Sequence, residues 1–247
     1  MAGLHGVKRR RRQAALVSII AAFGLMLVGR VRQVDAAERQ RYLALGDSYT
    51  IGQSVAERER WPVQLVARLR QRGVEMADPE IVAQTGWTTA DLLAGIDAAR
   101  PYGPFTLVSL LIGVNNQFQG RDLEEYRREL RVLLQRAIGF AGDDASRVLV
   151  LSIPDWSVTP FAAGNDRVRI AADLERFNRV CREESTQAGV RYVDITATSQ
   201  RAAAERGLLA RDGLHPSGKM YAAWVELALA AVGDATRPGS QTPARTP

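Results

Sequence analysis

The sequence has 247 residues, 46% of them hydrophobic, with a formal charge of +6 and a single cysteine, Cys181. That length and hydrophobic content suit one sizeable core and exclude a disordered chain, while one cysteine excludes an intrachain disulfide and, with only two histidines, the usual zinc-ligand clusters. The charge is no nucleic-acid signal, because residues 1–36 hold Lys8, Arg9, Arg10, Arg11, Arg12, Arg30 and Arg32 against Asp35 alone, and the remaining body balances 26 basic residues with 26 acidic ones.

Residues 8–12 are basic throughout, and Ala14 to Gly29 is apolar apart from Ser18 and the glycines. With Val34-Asp35-Ala36 as a small-residue cleavage site, this is the layout of a secretory signal. The apolar run has 16 residues, fewer than the ~20 that span a bilayer comfortably. Residues 1–36 are therefore read as a signal peptide or, if uncleaved, an N-terminal membrane anchor, and the protein as exported.

From about residue 40 strand-like and helix-like segments alternate. Tyr42 to Leu45 reads as a first strand ending at Gly46. Trp61 to Arg72 carries Leu65, Val66 and Leu69 at helical spacing and stops at Gly73. Ile81 to Ala83 is a second strand, and Thr88 or Thr89 caps a helix containing Leu92, Leu93 and Ile96. Phe105 to Ile112 is a buried third strand, Asp122 to Phe140 a helix whose Glu and Arg residues form a solvated face, and Val148 to Ile153 a fourth strand. Val168 to Gln187 is helical and carries Cys181 as a small buried residue. Val190 to Ile195 is the last strand, and Pro216 to Val232 the last helix, with Pro216 in its first turn. This alternation predicts an α/β fold, a three-layer α/β/α sandwich on a five-stranded parallel sheet, over residues 40–233. Residues 234–247, rich in Pro, Thr, Gly and Arg, are expected to form a disordered tail.

In open α/β sheets functional groups gather at the carboxyl ends of the strands. Ser48 follows strand 1, Gly86 strand 2, Asn115 strand 3 and Trp156 strand 4, and Asp212 and His215 lie in the long loop after strand 5. Beyond the leader His215 is the only histidine, so any serine nucleophile in the body has one imidazole available as base. Ser48 sits behind Gly46, read as a flexible glycine at a strand-to-helix junction. Asp212, three residues before His215, is spaced to orient the ring and fix its tautomer. The N–H groups of Ser48 and Gly86 and the amide of Asn115 are natural donors to an oxyanion. Each signal has a plainer reading: Gly-Asp-Ser and Asp-Gly-Leu-His-Pro are good turn sequences, Gly86 can serve a positive φ, and Asn115 and Asn116 can cap. Their joint order along the chain favours catalysis.

Taken together, Gly46-Asp47-Ser48-Tyr49, the glycine of Gln84-Thr85-Gly86-Trp87, Gly113-Val114-Asn115-Asn116 and Asp212-Gly213-Leu214-His215-Pro216 resemble the blocks of the SGNH/GDSL hydrolase family. The resemblance implies a flavodoxin-like fold, with Ser48 as nucleophile and oxyanion donor, Gly86 and Asn115 completing the oxyanion hole, and His215 and Asp212 completing a triad. The family's usual aspartate after the block-three asparagine is here Asn116.

The chain is thus expected to be an exported, lipase/esterase-like serine hydrolase that cleaves small or medium acyl esters, lysophospholipids or thioesters among them, through an acyl-enzyme. No metal or organic cofactor is required. Its partner is a small-molecule ester, not a nucleic acid, and it meets a membrane only through an uncleaved leader. A carbohydrate or cell-envelope glycan O-deacetylase and a non-catalytic binding module on the same scaffold are the alternatives. Trp87, Phe118, Trp156 and Phe161 are candidates for pocket lining or for core packing, while Trp61 and Trp224 read as packing. No Gly-x-Ser-x-Gly elbow, phosphate-binding Gly-x4-Gly-Lys-Ser/Thr loop or His-Glu-x-x-His pair is present.

Overall fold

Strand β1 (Tyr42–Gly46) is buried at all five positions because it pairs on both sides and is covered on both faces. A computed structural model describes residues 39–233, and the expected leader (1–36) and tail (234–247) lie outside them. β1 pairs in parallel with β2 (Glu80–Ala83) and β3 (Leu107–Leu111), and β3 continues to β4 (Val148–Leu151) and β5 (Arg191–Val193). The order is β2-β1-β3-β4-β5 and every pairing is parallel, so the five-stranded sheet expected from the alternation is the one formed. The central strands are near-continuous apolar runs, as burial on both faces requires, whereas the edge strands carry Glu80 and Arg191, charges that discourage edge-to-edge pairing.

The chain leaves β1 through a short helix α1 (Ser48–Ile51) and continues into α2 (Trp61–Gln71), which buries Trp61, Leu65, Val66 and Leu69. After β2 comes α3 (Thr89–Ala99), capped by Thr88, whose hydroxyl accepts the Asp91 N–H while the Asp91 carboxylate accepts the Thr88 N–H. A one-turn α4 (Val114–Phe118) and the long α5 (Leu123–Phe140) follow β3, and α6 (Arg167–Gln187) follows β4. A short α7 (Thr196–Gln200) precedes the closing α8 (Gly218–Val232). Helices α2 and α8 pack together on one face of the sheet, and α3, α5 and α6 cover the other. Cys181, Trp61 and Trp224 are buried, as their apolar contexts predict.

Three expectations are corrected. Helix α8 starts at Gly218, not Pro216: the Ser217 hydroxyl caps the Met220 N–H at 3.4 Å, and Pro216 lies outside the helix in a bridge with Leu209. Serine's capping hydrogen bond decides the start over proline's preference for a first turn. The strands are also shorter than the apolar runs, since Phe105, Ile112 and Ile153 are buried beyond the ladder ends. Finally, the Glu/Arg face of α5 is not simply solvated. Arg127 and Arg131 reach across to Glu184 of α6, whose side chain is 2% exposed, with N–O distances of 2.7 and 2.6 Å. The two guanidiniums, against the cost of burial, hold the Glu184 carboxyl below its ordinary range.

Among the described residues no helix is long and apolar enough to cross a membrane, and no group of three or more His, Cys, Asp or Glu is placed to hold a metal ion.

Candidate active site

Gly46 matters through close approach rather than flexibility. A Cβ there would stand 2.2 Å from Thr50 Oγ1 and 2.5 Å from the Leu111 carbonyl, so only glycine lets β1 turn into α1 against β3. Asp47 then caps α1, its Oδ1 accepting the Tyr49 N–H at 3.0 Å. Burial pushes the Asp47 carboxyl up to about 7, against the lowering effect of these backbone donors, and its second oxygen has no hydrogen-bond partner. Ser48 is the first residue of that turn, where no preceding carbonyl of the helix can claim its N–H.

The partner groups come from the other end of the chain. In the Asp212–His215 turn, where Gly213 adopts a φ of 71°, Asp212 Oδ1 accepts the N–H groups of Leu214 at 3.0 Å and His215 at 2.9 Å. Its Oδ2 faces His215 Nδ1 at 2.7 Å and accepts the Ser54 hydroxyl at 2.5 Å. Desolvation opposes ionisation of Asp212, but the Ser54 hydroxyl, the two backbone N–H groups and the ring together hold its carboxyl down at about 2. An ionised Asp212 makes Nδ1 the protonated ring nitrogen, so the Nε2 lone pair faces Ser48 Oγ at 3.0 Å. The arrangement can move a proton from the serine hydroxyl to the ring and stabilise the imidazolium that forms. The Tyr49 ring lies beside the imidazole, centroids 5.5 Å apart, and itself meets Trp224.

Ser48, Gly86, Asn115 and His215 all line one cavity of about 240 Å³, so the fold gathers the expected residues from four strand ends. Gly86 adopts a φ of 84° in the turn after β2, and its N–H takes no carbonyl among the described residues. Asn115 Nδ2 gives one hydrogen to the Trp87 carbonyl at 2.8 Å. Asn116 does not face the cavity. It is buried and clamps Thr89, Oδ1 accepting the Thr89 N–H at 3.0 Å and Nδ2 donating to Thr89 Oγ1 at 2.7 Å.

Of the four aromatics singled out from the sequence, Phe118, Trp156 and Phe161 line the cavity and contact one another, with centroids 5.7 to 6.3 Å apart. Trp156 is held by its indole N–H on Gln117 Oε1 at 2.9 Å. Trp87 does not join them: its ring lies against Gly95 of α3, where a Cβ would be 2.2 Å away. Sequence reasoning missed Ser54, Gln53 and Tyr49. Nothing in spacing or composition marks Ser54, which reaches Asp212 because the chain after α1 turns back through two positive-φ residues, Gly52 and Ser54.

A family model described as the GDSL-like Lipase/Acylhydrolase family matches residues 44–223. No curated protein matches the chain. Among solved structures, TesA superposes with a TM-score of 0.62 at 21% identity, covering 79% of this chain and 99% of that one. The psychrotrophic esterase EstA from Pseudoalteromonas sp., in a structure inhibited by monoethylphosphonate, gives 0.60 at 16% identity, covering 78% and 96%. Axe2, an acetylxylan esterase from Geobacillus stearothermophilus, gives 0.59 at 20% identity, covering 80% and 96%. These likenesses show a shared fold.

Proposed function

The chain belongs to the GDSL-like lipase/acylhydrolase family, a family of ester-hydrolysing serine hydrolases, and on that premise we propose that it is an exported esterase whose nucleophile is Ser48, with His215 as base and Asp212 as the group that orients it. The observation that carries this reading is the continuous line from Asp212 Oδ2 through His215 Nδ1 and Nε2 to Ser48 Oγ, with links of 2.7 and 3.0 Å. Ser48 Oγ attacks the ester carbonyl as its proton passes to His215 Nε2. The tetrahedral oxyanion is met by the N–H groups of Ser48 and Gly86 and by the second amide hydrogen of Asn115. Collapse breaks the ester C–O bond, and His215 returns the proton to the departing alkoxide, leaving an acyl-Ser48. Water repeats the sequence, giving a proton to His215 and releasing the acid and Ser48.

The substrate we propose is an ester with a small or medium apolar acyl group. The cavity beside Ser48 is walled by Tyr49, Val114, Phe118, Trp156, Phe161 and Leu214, with Gln53 and Thr85 as polar side chains besides Ser48, Asn115 and His215 themselves. An acetylated sugar carries many hydroxyls to satisfy, and these walls offer few partners. Export rests on the basic residues 8–12 and the apolar run 14–29.

The test is a panel of p-nitrophenyl esters of graded chain length beside acetylated xylo-oligosaccharides, with Ser48→Ala as blank. Turnover rising from acetate to a medium chain supports the reading; turnover of acetylated sugars alone makes the protein a glycan deacetylase. A fluorophosphonate probe must label the folded wild type and leave Ser48→Ala unlabelled. A folded wild type that stays unlabelled, with no turnover, makes it a binding module.

A further inference from the structure

We propose that Asn116, Thr89 and Glu129 form a positioning relay that fixes Asn115 and Gly86 relative to each other, a role that rests on the reading of those two as oxyanion donors. The donors come from different segments, the turn between β2 and α3 and the short helix α4. Two contacts join those segments, one beside each donor. Asn115 Nδ2 bonds the Trp87 carbonyl, one residue past Gly86. Asn116, next along, pairs both ends of its amide with Thr89.

The second contact has a fixed polarity. The Thr89 hydroxyl has one hydrogen, and it donates that hydrogen to the Glu129 carboxylate of α5. Its oxygen therefore has only acceptor capacity left for residue 116, and the Asn116 amide supplies the hydrogen. Thr89 and Asn116 are both buried, so water does not repair a mismatch here. An aspartate at 116 would set two carboxylates on either side of a hydroxyl with one hydrogen. The clamp then opens or one carboxyl takes up a proton, and in either case the α4 turn that carries Asn115 shifts. The same shape with reversed polarity is satisfied: an aspartate at 116 accepts from the Thr89 hydroxyl, and a glutamine at 129 donates to its oxygen.

The experiment is a swap, read as kcat and KM on the best p-nitrophenyl ester and as thermal unfolding of each variant. Asn116→Asp is expected to lower kcat by about tenfold, the scale of a small misplacement in a reacting site, with KM within about twofold. Glu129→Gln keeps an acceptor in its amide oxygen and loses less than Asn116→Asp. The double variant Asn116→Asp/Glu129→Gln recovers most of the lost kcat. A kcat for Asn116→Asp equal to wild type, or a double variant no better than Asn116→Asp, overturns the relay. If Asn116→Asp does not fold, Thr89→Ala and Thr89→Ser replace it: loss of kcat in Thr89→Ala with recovery in Thr89→Ser supports the relay, and equal kcat in the two overturns it. Wild-type turnover that Ser48→Ala abolishes keeps these outcomes separate from failure of the esterase reading itself.

Discussion

Asp212 and Glu184 are both held ionised, and they are held by opposite means. Glu184 is almost fully buried between α5 and α6 and faces two guanidiniums, Arg127 and Arg131, which neutralise it. Asp212 lies at the rim with its side chain 30% exposed, and its donors are neutral: two backbone N–H groups, the Ser54 hydroxyl and the His215 ring. No arginine or lysine pairs with it among the described residues. A carboxylate already paired with a cation has little field left for a second positive charge. In the proposed reaction Asp212 keeps its full charge for the imidazolium that forms when His215 takes a proton. The buried carboxylate fastens two helices, and the more exposed one is equipped for chemistry.

The largest effect expected from this contrast is on Asp212. Asp212→Asn should lower kcat/KM by about 10³- to 10⁴-fold, because the amide no longer fixes the Nδ1–H tautomer or stabilises imidazolium, while the protein still unfolds cooperatively, at a temperature lowered by the loss of the charge. A small loss of activity here would make the carboxylate a turn residue only. The pH profile sharpens the point. A carboxyl lowered to about 2 in the folded state contributes stability and charge that are present above its unfolded range near 4 and are lost only as pH falls through about 2. Between pH 4 and 8 Asp212 should therefore stay ionised and add no limb of its own to kcat/KM. A limb of kcat/KM near pH 4 that is absent from Asp212→Asn would show that the carboxyl is not held down.

Glu184→Ala should do the reverse. Arg127 keeps Glu124 and Glu183 and Arg131 is half exposed, so removing the buried carboxylate costs on the order of 1 kcal/mol of unfolding free energy, measured in denaturant, with kcat/KM unchanged. A drop in activity at full stability would break the division between the two carboxylates. Asp47 supplies a third case. It is buried with no cation and its carboxyl is raised to about 7, so the stability of its neutral form is full below the unfolded range near 4 and is lost as pH rises through about 7. Asp47→Asn should match wild type near pH 4 and exceed it by about 2 kcal/mol at pH 8.

The contrast also separates what the sequence carries from what it does not. The sheet and its order of helices are legible because apolar runs and glycine stops are local signals, and the gathering of Ser48, Gly86, Asn115 and His215 follows from the rule for strand ends in parallel sheets. The pairing of Ser48 with His215 needed one further fact, that the body has a single histidine. Ser54, Glu184 and the Asn116–Thr89–Glu129 contact are not legible. Each depends on which way a polar side chain turns after helices have packed, and a charged residue on an amphipathic helix looks the same whether it meets water or a partner across an interface. Trp87 and Phe118 illustrate the same limit. Both follow strand ends, yet one covers Gly95 and the other opens onto the cavity.

The smallest expected effects lie at the two ends of the cavity, and they differ in kind. Ser54 touches Asp212 from an exposed position, so Ser54→Ala should cost about 1 kcal/mol of barrier, near fivefold in kcat, for every substrate alike. Phe118 and Phe161 are 58% and 47% exposed, an area of aromatic surface that an apolar acyl chain can cover. Replacing either with alanine should leave acetate esters unaffected and raise KM several-fold for the longer chains of the proposed substrates, since only those reach the rings. The panel of graded esters therefore distinguishes the two walls: a uniform loss marks the charged end, and a loss that grows with chain length marks the aromatic one. A Phe161→Ala enzyme that lost acetate and medium-chain turnover equally would mean that the ring supports the adjoining histidine turn, to which its backbone N–H is bonded at the Gly213 carbonyl, and the acyl group would have to lie elsewhere.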